Sequence, residues 1–116
     1  MSEENIDTDL ERSINALECA EKFSEQQNDI YGLAKVYESF AKLFISKFQD
    51  FEKGKAYAEL IHELAIQNNN PQLLAQYHYT VGHCYYYEKI DRDKGGQEFI
   101  KARNILDENN LPITPS

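Results

Sequence analysis

Asp50-Phe51-Glu52-Lys53-Gly54 returns 41 residues later as Asp91-Arg92-Asp93-Lys94-Gly95, and a weaker copy, Asp9-Leu10-Glu11-Arg12-Ser13, stands 41 residues before it. Asn28, Asn69 and Asn110 keep the same interval. Periods of roughly 20–50 residues mark stacked supersecondary units, each too small to bury its own apolar face. The chain therefore reads as a short helical solenoid, and solenoids work chiefly as binding scaffolds.

Working outward from these copies, hydrophobic periodicity places about five helices. The first covers 9–26, with Leu10, Ile14, Leu17, Ala20 and Phe23 at helical spacing; Thr8 and Glu11 have the spacing of a capping box. The second covers 30–48, through Leu33, Val36, Tyr37, Phe40, Phe44 and Phe48. The third covers 51–68, with Phe51, Ala58, Ile61, Leu64 and Ala65 on one face. Asn70-Pro71 is the clearest boundary, a capping residue before a proline suited to a first helical turn, and a fourth helix follows over 72–88. Asp91 opens the fifth, which carries Phe99, Ala102, Ile105 and Leu106 and fades near Asn109-Asn110. Short polar connections turn each helix back on its predecessor. The class is all-α, with a flexible amino terminus at 1–8, one repeat domain over 9–110 and a flexible tail at 111–116.

Composition narrows the function. The 116 residues carry 20 acidic and 12 basic side chains, a net charge of −8. Such a chain repels phosphate backbones, and no basic stripe interrupts the field, which argues against nucleic acid. No apolar run approaches the ~20 residues of a membrane span. Cys19 and Cys84 sit in apolar helical stretches, where a free cysteine acts as a small buried hydrophobe. With an acidic amino terminus lacking an apolar run, the reading is a reduced, cytoplasmic protein.

The helical pairs resemble tetratricopeptide repeats. His78, Val81-Gly82 and Tyr85 match that family's first-helix pattern, and Gly95, Phe99 and Ala102 its second. Tyr37, Phe40-Ala41 and Phe44, then Gly54, Ala58 and Ile61, form a looser copy. Ala41 and Gly82 are the small residues at which partner helices cross. The 41-residue spacing exceeds the family's usual ~34, as in bacterial peptide-sensing regulators and kinesin-light-chain-like proteins. The resemblance implies antiparallel hairpins stacked as a right-handed solenoid with a peptide-binding concave face. Residues 9–26 then form a second helix without its first. With Phe99, Ile105 and Leu106 projecting from the last helix, apolar surface is expected to need cover, by a partner or by a second copy.

Tyr77, Tyr79, Tyr85, Tyr86 and Tyr87 crowd one helix, so they face several directions. Tyr85 is the repeat's buried aromatic. Tyr79, His83 and Tyr86 share a face, which by the resemblance lines the concave groove; packing against the neighbouring repeat is the other reading. The 41-residue offset carries that face to Glu38, Lys42 and Ile45, with Lys35 one turn earlier, either a groove wall of complementary charge or a solvated helix pair. The candidate partner-binding residues are therefore Lys35, Glu38, Lys42, Tyr79, His83 and Tyr86. His78 and His83, five apart, do not project together as metal ligands, and no cofactor motif or nucleophile elbow occurs. No carboxylate is bracketed by apolar residues in a way that raises its pKa. A non-enzymatic interaction module binding a protein or peptide is the leading expectation; a homo-oligomer assembled through exposed terminal helices is the alternative.

Overall fold

The computed structural model describes the backbone of residues 2–87 and 91–112, and the side chains of 8–86 and 91–112. Five helices account for nearly all of it: α1 (Ser2–Gln26), α2 (Ile30–Phe48), α3 (Phe51–Gln67), α4 (Pro71–Tyr87) and α5 (Arg92–Glu108), with no strand among the described residues. Each helix packs on the next, and α2 also reaches α4, whereas α1 and α3, like α3 and α5, are not close neighbours. The result is a stack of helical hairpins with α2 and α4 side by side in one layer and α1, α3 and α5 in the other. No described helix is long and apolar enough to cross a membrane.

The 41-residue period is present in the backbone. Asp29, Asp50, Asn70 and Asp91 each accept the backbone N–H three residues on, at 2.9, 3.1, 3.1 and 3.0 Å, satisfying a free donor at the start of α2, α3, α4 and α5. Asn28, Asn69 and Asn110 all take the left-handed conformation, with φ of 55, 49 and 55°. Asparagine tolerates that region better than most residues. The following amide then reaches back to a carbonyl five residues earlier: Asp29 to Ser24 at 2.9 Å, Asn70 to Ala65 at 2.9 Å, Leu111 to Leu106 at 2.8 Å. Even the clefts beside these turns repeat. One of about 380 Å³ is lined by Ser24, Asn28, Ile30 and Leu33, and one of about 370 Å³ by Ala65, Asn69, Pro71 and Leu74.

The core runs between the layers. Ala34, Ile61, Ala65 and Leu73 form one cluster, Ala58, Val81 and Tyr85 a second, Ala75, Ala102 and Leu106 a third. Tyr85 is buried as the repeat pattern requires. Small residues set the crossings. A Cβ on Gly82 would meet the Gly95 carbonyl oxygen at 2.9 Å and the Phe99 ring at 2.8 Å, and one on Gly54 would meet Ile45 at 2.8 Å and the Ala41 carbonyl at 3.2 Å.

Several expectations need correction. Helix α1 begins at Ser2, earlier than the expected start at 9, so Thr8, Asp9 and Glu11 lie inside a helix they cannot cap. The sequence of 2–8 holds no proline or glycine to break a helix. Cys84 is buried but Cys19 is exposed, because α1 has a helix on only one side. Leu106 is buried and Phe99 and Ile105 half-buried, so they do not project from α5. The outward row of α5 is instead Arg92, Gly96, Ile100, Arg103 and Asp107, polar apart from Ile100. Leu111 and Pro112 are non-helical; the rest of the expected tail, 113–116, and the expected end of the fourth helix at 88 lie outside the described residues.

Two glycines in opposite surroundings make the packing testable. Gly82→Ala should destabilise the fold by about 1–3 kcal/mol through overpacking. Gly96→Ala, whose Cβ would meet nothing within 4 Å, should stabilise it by about 0.5–1 kcal/mol through lost chain entropy. Urea melts followed by circular dichroism read both; shifts of the same sign would contradict the crossing geometry.

Candidate functional site

The α2–α4 layer positions the site. Residues one helical turn apart, Glu38 and Lys42 on α2 and Tyr79 and His83 on α4, come together with Thr80 and, from α5, Phe99 around a cleft of about 290 Å³. Four of the six sequence-predicted residues thus line one cavity. Lys35 joins them through Glu38. Tyr86 lies one turn beyond His83, 51% exposed, its ring 6.2 Å from Phe99 and 5.6 Å from the Arg92 guanidinium.

Glu38 organises the charges. It is only 6% exposed, and its Oε1 accepts Lys35 Nζ at 3.3 Å and lies 3.8 Å from Lys42 Nζ. The solvated Lys/Glu pair read from spacing alone is therefore half wrong: the lysines reach water, the carboxylate does not. A buried carboxylate holding two cations is far costlier to orphan than a surface pair. Lys42 is left as the accessible positive group on the cleft wall.

His83 is half-buried beside that pair. Burial, then the neighbouring Lys42 ammonium, push its pKa below the ordinary 6.5, against an opposing pull from Glu38. The imidazole is accordingly neutral at pH 7, able to donate through one nitrogen and accept through the other.

Both readings of Tyr79 hold at once. Its ring packs 5.9 Å from Phe99 and against the Ala75–Ala102–Leu106 cluster, while another part lines the cleft. Sequence reasoning missed Thr80 and Phe99. Phe99 carries the second-helix aromatic signal of the repeat, but its reach to the cleft depends on the open space at Gly82, which periodicity does not show.

The opposite face of α4 has different chemistry. His78 Nδ1 bonds the buried Glu98 Oε2 at 2.6 Å, and the Tyr77 hydroxyl donates to Glu59 Oε1 at 3.1 Å. Burial first, then Glu59, push the Tyr77 pKa up to about 12. His62 stacks on Tyr77 at 4.5 Å. These side chains bind α3, α4 and α5 together. Among the described residues no three of His, Cys, Asp and Glu are placed to hold a metal ion. One carboxylate corrects the sequence reading: burial, then Glu25 and Glu18, raise Glu21 above its ordinary value. It lies on α1, away from the cleft.

Comparison of the chain with protein-family models, with curated proteins and with solved structures returns no match, so the site is read from its own chemistry.

His83 reports the cleft directly. Its ring resonances should titrate with a midpoint below 6.5, and Lys42→Met should move that midpoint upward by removing the repelling charge. By linkage, the folded state loses stability as pH falls from 6.5 through the depressed value, because the unfolded chain binds the proton first. A midpoint unmoved by Lys42→Met would separate the two groups.

Proposed function

We propose that this chain is a non-enzymatic interaction module, a tetratricopeptide-like repeat of the long variety, that holds a segment of a protein or peptide partner in the cleft between α2 and α4. The observation that carries the reading is the convergence of Glu38, Lys42, Tyr79, His83 and Phe99 from three helices on one open cavity. Its parts suit a peptide. Tyr79 and Phe99 offer rigid aromatic surface, the neutral His83 imidazole gives the wall a polar edge, and Lys42 offers a charge anchored from behind by Glu38. The net charge of −8 disfavours nucleic acid as the partner, and a cytoplasmic setting fits two cysteines that form no disulfide bond. Self-assembly through α5 has less support, since its outward row is mostly polar.

Tyr79 is wedged into the core, so Lys42→Ala with Tyr86→Ala is the cleaner probe. Peptides enriched from a random display library on the wild-type chain should bind this double variant at least about tenfold more weakly, with its melting curve little changed. Enriched peptides that bind both proteins equally would overturn the reading.

A further inference from the structure

Next to the cleft, and sharing Lys42 with it, a groove of about 460 Å³ runs between Ser13, Ala16 and Leu17 of α1 and Ser39, Lys42, Leu43 and Ser46 of α2. The 41-residue period says what belongs there. Shifted by one period, Ser13, Ala16 and Leu17 become Gly54, Tyr57 and Ala58; α2 covers the first two, and Ala58 packs on Val81 and Tyr85 of α4. Ile45 lies over Gly54, and Phe40 and Phe44 stack on Tyr57 with ring centroids 4.7 and 5.6 Å away. On α4, which packs against α2, the counterparts of Ser39 and Leu43 are Thr80 and Cys84, both buried. Among the described residues no helix covers the α1 copy of this surface.

Phe23 marks the same shortfall independently. It is 63% exposed, whereas its counterpart Leu64 packs on the Ala34–Ile61–Ala65–Leu73 cluster beside Ile30 and Tyr37 of α2. The small residues Ser13 and Ala16 leave room for bulky side chains from an incoming helix.

Charge then chooses the occupant. Helix α1 has eight acidic and two basic side chains, so laying the α1 of a second copy along it would set like charges together. The groove itself has a different sign. Glu18, Glu21 and Glu25 act on Tyr37 and Tyr57, and none of the three lines the groove. The charged side chain lining the groove is Lys42, whose ammonium shares the single Oε1 of Glu38 with that of Lys35. One positive charge is left over where the helix would lie.

We propose that the α1–α2 groove docks one amphipathic α-helix of a partner protein, seated as α2 is seated on α3 and α4, with bulky apolar residues at three- and four-residue spacing and a carboxylate opposite Lys42. This is a second interface; Lys42 borders both it and the cleft between α2 and α4, whereas Ala16 and Ser46 line the groove and not the cleft, so substitutions there tell the two sites apart.

Because α2 fills the equivalent groove, its own sequence is the probe. A labelled synthetic peptide of residues 30–48 would set its Lys42 against Lys42 of the chain; the same peptide with Lys42→Glu would set a carboxylate there. In anisotropy titrations at low salt, the Lys42→Glu peptide should bind saturably, at least about tenfold tighter than the parent peptide. Ala16→Arg or Ser46→Arg in the chain, both at exposed positions and each checked by its melting curve, should weaken it at least about tenfold, while Tyr86→Ala should leave it unchanged. Absence of saturable binding, or equal binding by both arginine variants, would overturn the proposal. So would a dimer of the wild-type chain that Ala16→Arg dissociates, since the occupant would then be a second copy.

Discussion

At Gly82 and Gly95 the backbones of α4 and α5 touch. A Cβ on either would stand within 3.0 Å of the other's carbonyl oxygen, a distance side chains do not tolerate. Close packing of this kind fixes where two helices cross and leaves little freedom to slide. Phe99, one turn beyond Gly95, is thereby pressed across α4 into the space beside Gly82, where it backs Tyr79 and walls the cleft. Ala41 and Gly54 make the same crossing one period earlier, where Ile45 takes the space that Tyr86 takes beside Gly95. The site is therefore a consequence of the crossing, since the cleft shape depends on a missing methyl group.

Against this regular backbone the polar network is deliberately unequal. Each of two buried carboxylates gathers two partners: Glu38 holds Lys35 and Lys42, and Glu98 holds His78 and Lys101. One period away the same places are filled by tyrosines, Tyr79 for Glu38 and Tyr57 for Glu98. The two faces of the stack consequently differ. One presents a charge-bearing cleft, and the other a set of bonds joining α3, α4 and α5. Another device does repeat. Lys53 lies 4.8 Å from the Phe44 ring centroid and Lys94 4.8 Å from that of Tyr85, which accounts for the lysine in both strong copies of the motif.

Much of the fold is legible in the sequence because helices announce themselves through period and punctuation. Asp50, Asp91 and Asn70-Pro71 cap helices as their residue types demand, and Ala58, Ile61 and Ala65 are buried as their spacing demands. The start of α1 is not legible, since nothing in 2–8 stops a helix. Cys19 and Cys84 look alike by pattern and differ only because one helix has a neighbour on each side. Of the site, the shared face of Glu38, Lys42, Tyr79 and His83 follows from the offset. The burial of Glu38 and the arrival of Phe99 do not, because both are properties of a neighbouring helix.

The central claim is that the α2–α4 layer, placed by the glycine crossings, is the face that meets a partner segment. A backbone and side-chain shift map of the isotopically labelled chain, titrated with a display-selected peptide, tests it most directly. The account predicts perturbations centred on Glu38, Lys42, Tyr79, Thr80, His83 and Phe99. Perturbations centred instead on Glu59, His62, Tyr77 and His78, on the opposite face of α4, would contradict it.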